Sequence, residues 1–154
     1  MQFENLARKT IENECEDYYF GIADLSTVQK SETQKYGSLL DAYPNAISIG
    51  LTIFPKISHK SHQSEYEKIY NDTKKVTDGK LDIITANLSE LLQKNAYAAF
   101  PVPKIETNEK LFLYLHKMAA KMAGLDRIEK DSPNRTLNGD NYVNWGTVLT
   151  NAPL

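Results

Sequence analysis

The sequence predicts a layered α/β or α+β domain with a mixed, partly parallel central sheet and helices packed on it. Two patterns carry that expectation. Short apolar runs rich in β-branched and aromatic residues alternate along the chain with longer stretches whose apolar residues recur every three or four positions. Strands alternating with helices favour a sheet covered by helices. The run Ala46 to Phe54 (AISIGLTIF) is continuously apolar and bounded by Pro44 and Pro55, as in a strand buried on both faces at the centre of a sheet. The 154 residues fit one domain, 1–154. A chain of that size buries roughly 70% of its unfolded surface and needs no disulfide or metal to fold.

Each element follows from local pattern. Phe3, Leu6, Ala7, Ile11 and Cys15 form one stripe and predict a helix over 2–16. Tyr18 to Leu25 reads as a short strand ended by Ser26 or Thr27, and Ser31 to Tyr43 as a helix stopped by Pro44-Asn45. After the central strand, Lys56 to Ser64 is a polar loop, and Glu65 to Asn95 is helical, with Leu81, Ile84, Leu88, Leu91 and Leu92 on its apolar side. Asp78-Gly79 is either a break between two helices or a weak spot in one. Tyr97 to Val102 reads as a strand that Pro101 and Pro103 confine to an edge or an end. Asn108 suits an N-cap for a helix from Glu109 to Ala123, Gly124 suits its C′ position, and Leu111, Leu115, Met118, Ala119 and Met122 face the core. A polar, turn-rich stretch over 126–141 leads to a last strand, Tyr142 to Thr150.

Composition excludes several function classes. The net charge is −2, which argues against general binding to a phosphate backbone, a task that needs clustered Lys and Arg. There is one cysteine, Cys15, so neither an intramolecular disulfide nor a cysteine-ligated iron–sulfur cluster or zinc site can form within this chain. Cys15 lies among Glu14, Glu16 and Asp17, the opposite of the positive surroundings that activate a thiol, and reads as a small buried hydrophobe. The start of the chain has no apolar core of signal-peptide type and no stretch is long and apolar enough for a membrane span. The expected setting is the cytoplasm, away from membranes.

Candidate chemistry is sparse. His59 and His62 share a polar loop without recognisable further metal ligands, so a solvated loop is the expected reading. His116 stands beside Lys117 on a helix, as a general acid or base or as a polar-face or partly buried histidine. Lys110, Lys117 and Lys121 flank Tyr114 on one side of that helix. They would attract a phosphate or carboxylate, or form a solvated face. Tyr18, Tyr19, Tyr66, Tyr70, Tyr97 and Tyr142 would line a flat cofactor or pack separately. No Gly-rich phosphate loop or G-x-S-x-G elbow occurs.

Five segments, in order, resemble the epoxyqueuosine reductase-like iron–sulfur proteins: Phe20 to Ser26 (FGIADLS), Tyr43 to Gly50 (YPNAISIG), the helical run ending in Leu91-Leu92 with Ala96 to Pro103 (AYAAFPVP), His116 to Leu125 (HKMAAKMAGL), and Trp145 to Leu154 (WGTVLTNAPL). The resemblance implies a nitroreductase- or corrinoid-reductase-like fold and a cobalamin-binding module. In that family a cysteine-rich module with two iron–sulfur clusters follows and passes electrons to cobalt. The best-known members reduce an epoxide on a modified tRNA nucleoside. This chain would then be the N-terminal module alone, needing a separate iron–sulfur donor domain. The implied cofactor-binding residues are His116, Lys117, Gly124, Asn138, Trp145 and Thr147. Lys117 would neutralise an acidic group of cofactor or substrate.

The chain also departs from the family pattern. Such proteins usually carry two glycines where this chain has Asp126 and Glu129, an arginine where it has Asn144, and an aspartate where it has Asn151. Glycine allows close backbone approach to a ligand, which an acidic side chain resists. The family's proton-donating acid would fall within 105–109, where Glu106 and Glu109 stand. These differences raise an alternative, a non-catalytic interaction domain with a degenerate pocket, for instance a homodimer; a flavin enzyme on the same general scaffold is a third reading.

Overall fold

The computed structural model describes residues 2–28, 36, 38–53, 63–104, 110–125 and 143–154. Their elements are α1 (Gln2–Glu12), β1 (Tyr19–Asp24), a 3₁₀ turn (Leu25–Thr27), α2 (Leu39–Ala42), β2 (Asn45–Thr52), α3 (Gln63–Lys94), β3 (Ala99–Pro101), α4 (Lys110–Met122) and β4 (Val143–Thr150). The strands form one sheet in the order β1-β2-β4-β3.

The architecture is mixed α and β, as expected, but every ladder is antiparallel. This corrects the expected parallel content. The strands flanking α3, β2 and β3, do run in the same direction, as a strand–helix–strand unit requires. They are not neighbours, however, because β4 lies between them and opposes both. Alternating strands and helices disclose direction, and not which strand is later inserted.

Period-2 alternation divides the sheet into two faces. Ile47, Ile49 and Leu51 of β2 and Val148 of β4 meet Ala7 and Ile11 of α1 and Leu81, Ile84, Leu88 and Leu92 of α3 in one core. On the opposite face, Ala23, Ala46 and Leu149 meet Leu115 and Ala119 of α4. The sheet is thus covered on both sides, and β4 is buried at all eight positions. Arg8 fastens α1 to β1, its guanidinium 5.0 Å from the centroid of Phe20. Cys15 is half-buried against the α1–α3 core, and burial pushes its thiol pKa up. It is a packing residue, as its acidic neighbours suggested.

The remaining differences are local. The helix expected over Ser31 to Tyr43 is described only as the short α2, and 31–35 lie outside the described residues. No break occurs at Asp78-Gly79, so α3 runs unbroken for 32 residues. Helices α3 and α4 both end in a left-handed residue, Ala96 (φ 68°) and Gly124 (φ 78°). Each is followed by a 6→1 bond, Tyr97 N–H to Leu92 O and Leu125 N–H to Ala120 O, which is the Schellman arrangement. The expected C′ role of Gly124 therefore holds, and Ala96 fills the same place with a side chain.

Close approach explains two glycines of the sheet. A Cβ on Gly50 would lie 2.5 Å from Cζ3 of Trp145, and one on Gly146 would lie 2.9 Å from Cδ2 of Leu81. The ring rests directly on β2, and α3 rests directly on β4. Gly50→Ala is expected to destabilise the fold by roughly 1–3 kcal/mol through overpacking, measured as a lower denaturant midpoint with an unchanged m-value.

Candidate functional site

The seam between α4 and β4 brings together three of the residues singled out in the sequence, His116, Trp145 and Thr147. Alternation along β4 sends Val143, Trp145, Thr147 and Leu149 toward α4, while α4 turns Leu115, His116, Ala119 and Ala120 toward the sheet. His116 is 2% exposed. Its Nδ1 lies 2.8 Å from Thr147 Oγ1 and its Nε2 3.3 Å from the carbonyl oxygen of Pro103. A carbonyl only accepts, so Nε2 carries the proton and Nδ1 accepts from the threonine hydroxyl. Burial holds the imidazole neutral, the nearby Lys104 cation reinforces this, and the pKa falls to about 3. His116 is thus a neutral structural bridge, with both ring nitrogens engaged.

Trp145 is 5% exposed and packs with Ala120, Val143, Tyr19 and Leu125. Tyr19 and Trp145 are tilted rings with centroids 6.3 Å apart. Leu125 and Val143, which flank residues 126–142, therefore both sit at the tryptophan. Lys117 and Gly124 are exposed, and no atom lies within 4 Å of where a Gly124 Cβ would stand. Asn138, Asp126, Glu129, Glu106, Glu109, His59 and His62 lie outside the described residues. Tyr18 packs under Arg8, Tyr19 against Trp145, and Tyr97 follows the end of α3, so these three tyrosines stand in separate surroundings.

The room in this seam tests the fit of a corrin. Trp145 lies against β2 at Gly50, and a Cβ on Gly21 would lie 2.9 Å from Cβ of Ala123. Less than a methyl group's space separates helix from sheet, and a planar macrocycle does not enter there. The open side is the outer one, where Lys117, Lys121 and the main chain at Gly124 are exposed.

A second polar cluster at the sheet edge was not anticipated. Beyond the short β3, the chain follows the margin of β4, with Val102 N–H bonded to Thr147 O, and then brings in Lys104. Asn144 Nδ2 donates to Thr77 Oγ1 at 2.8 Å and Asp78 Oδ1 at 2.7 Å. Lys74 Nζ lies 3.5 Å from Asp78 Oδ2, and Lys104 Nζ lies 4.0 Å from Asp78 Oδ1. The backbone N–H of Lys104 donates to Asp82 Oδ1 at 3.0 Å. Burial lowers the Lys104 pKa to about 8 against the opposing pull of Asp78. One signal for this cluster was available: extending the Leu81-Ile84-Leu88-Leu92 stripe back by one turn places Thr77 on the buried side of α3. Nothing marked Lys104.

Asn144 and Asn151 both have defined contacts. Asn144 joins β4 to α3 as described, and Asn151 Oδ1 accepts from Ala98 N–H at 2.9 Å, fixing the entry to β3. No family model, curated protein or solved structure matches the chain. No helix among the described residues is long and apolar enough to cross a membrane.

The neutrality of His116 has a pH signature. Its pKa is about 3 when folded against 6.5 for the ordinary group, so between those values only the unfolded chain binds the proton. Its contribution is complete above pH 6.5 and is lost progressively as pH falls toward 3. Wild type should lose about 2 kcal/mol more than His116→Gln between about pH 7 and pH 5, in urea titrations of both proteins.

Proposed function

We propose that the chain is the cofactor-side module of a redox protein, a corrinoid-reductase-type scaffold that takes cobalamin on the outer side of α4. The carrying observation is convergence. Parts of four segments that bear the resemblance, around Gly21, Ser48 to Gly50, His116 to Leu125 and Trp145 to Thr147, meet along one seam although they are spread through the chain. In this reading His116, Thr147 and Trp145 hold α4 against the sheet, while Lys117 and the main chain at Gly124 face the ligand. Lys117 would meet an acidic group of the cofactor or substrate. Asn138 belongs to the same proposed set, by resemblance alone. Cobalamin, when bound, would supply a redox-active cobalt. A chain with the single cysteine Cys15 would draw electrons from a separate iron–sulfur protein or domain.

The closure of the seam favours a second reading, a non-catalytic interaction domain whose former pocket is filled. The outer face of α3 offers it a surface: Ile69, Val76 and Ile83 are exposed and recur every seven residues, the spacing of a helix-pairing seam. The partner proposed is a second copy of the chain.

Adding hydroxocobalamin to the purified protein separates the two readings. The first expects a changed visible spectrum and a raised melting temperature at saturation, both weakened several-fold by Lys117→Glu. An unaltered spectrum and melting temperature, together with a dimeric mass by light scattering that Val76→Glu reduces to a monomer, would replace it with the second.

A further inference from the structure

We propose that the outer edge of β1 is a homodimer interface, at which two copies of the chain pair antiparallel about Ile22 and join their sheets into one. The surface is separate from the outer stripe of α3 and does not depend on either functional reading. The sheet has two edges, β1 and β3, and they differ. β3 is only three residues long and ends at Pro101, with Pro103 close behind. Val102 N–H bonds β4, so by alternation the Ala99 carbonyl faces away from the sheet. Gln93 Nε2 of α3 lies 3.5 Å from that carbonyl. Short length and proline are devices that keep an edge from pairing. β1 carries neither: its six residues, YFGIAD, contain no proline or lysine, and all six pair in register with β2 without a bulge.

Hydrogen-bond alternation identifies the groups this edge offers. Leu25 N–H donates to Pro44 O at 2.8 Å, and these two positions continue the β1–β2 register. Bonded positions recur at every second residue of an antiparallel pair. Ala23, Gly21 and Tyr19 therefore bond β2, and the N–H and C=O of Phe20, Ile22 and Asp24 face outward. The Asp24 carbonyl also accepts from Thr27 Oγ1 at 2.9 Å, and a second lone pair remains. The side chains of the three outward residues share one face, that of Phe20, which packs on the α1–α3 core. Phe20 and Ile22 are half-buried and Asp24 is exposed.

A second copy is the occupant because this edge complements itself. A two-fold axis at Ile22 sets Ile22 opposite the partner's Ile22, and Phe20 opposite the partner's Asp24, so that donors meet acceptors across the axis. Charge agrees with this register. Arg8 lies over the Phe20 ring, 5.0 Å from its centroid, on the face that Asp24 shares. Its Nε and Nη2 donate to Glu4, whereas Nη1 has only a long contact, 3.4 Å, to the Tyr18 hydroxyl. Oδ1 of Asp24 accepts from Ser26, which leaves Oδ2 for the partner's Arg8, and symmetry forms the pair twice. Centring the axis on Gly21 would instead set Asp24 opposite the partner's Tyr18, whose hydroxyl donates to Glu12 at 2.8 Å. That register brings two carboxylates together and is the poorer one.

One strand pair is smaller than a standard interface, so the dimer is weak, with a Kd of about 1–100 μM. Sedimentation of the intact chain across that concentration range should show a monomer–dimer equilibrium. Ile22→Pro removes an N–H that β2 does not use, at an edge position that tolerates proline. It should raise the Kd at least about ten-fold with an unchanged far-UV spectrum. Asp24→Arg should weaken association likewise, by setting a like charge against Arg8, and adding Arg8→Asp to the same chain should recover it several-fold. In the wild type, the Phe20 and Ile22 amides should exchange more slowly with solvent as concentration rises, while the Gly21 amide, bonded to β2, stays constant. This last readout needs no variant. A monomer throughout the series would overturn the assignment. So would a dimer that Val76→Glu dissolves and Ile22→Pro leaves intact, or Phe20 and Ile22 amides indifferent to concentration.

Discussion

β4 must hide eight consecutive residues between two helical layers, and the rest of the structure is arranged around that demand. Burying a strand on both faces gains apolar contact but strips water from every polar group it carries. Each polar side chain of β4 is accordingly met from elsewhere: Thr150 donates to the carbonyl of Ala98, Asn144 to Thr77 and Asp78, and Thr147 to His116. These three contacts tie β4 to the approach to β3, to α3 and to α4 in turn. Ser48 on β2, the ladder partner of Thr147, is left with no partner for its hydroxyl. The polar accounting of this interior is tight but not complete.

The same demand explains the glycines. A strand covered by α3 on one side and by Trp145 and α4 on the other cannot carry a full side chain at every position. Space is made at Gly146 for Leu81, at Gly50 for Trp145 and at Gly21 for Ala123. Helices and ring approach the backbone more closely than an alanine would allow, which shortens the layer spacing and closes the seam. A closed seam converts residues that look like ligands in the sequence into packing residues. His116 is the clearest case, because both of its ring nitrogens are occupied within the protein.

Period and punctuation made most elements legible. The β2 run between two prolines, the leucine stripe of α3 and the glycine at the end of α4 each reflect a local cause, and local causes can be read from sequence. Strand order was not legible, because the insertion of β4 between β2 and β3 depends on which faces must be buried once all the elements exist. The site was legible in part for the same reason. His116, Trp145 and Thr147 were located in one seam, but their depth in it was set by glycines on β1 and β2 whose role appears only with the ladder in register. Lys104 left no signal, since a single lysine after a proline looks like any other solvated loop residue.

His116 and Lys104 nevertheless belong to one electrostatic unit. The histidine bonds the carbonyl of Pro103, the residue before Lys104, and the lysine's charge opposes protonation of the imidazole. One group belongs to the α4 face of the sheet and the other is held from the α3 face, and they meet where β3 ends and β4 keeps a strand neighbour only on its β2 side. Two buried cations so close together would each raise the cost of the other. The fold resolves this by keeping the histidine neutral and giving the lysine one shared carboxylate. A neutral histidine can then accept from Thr147 and secure α4, so the charge state at the sheet edge and the packing of the seam support each other.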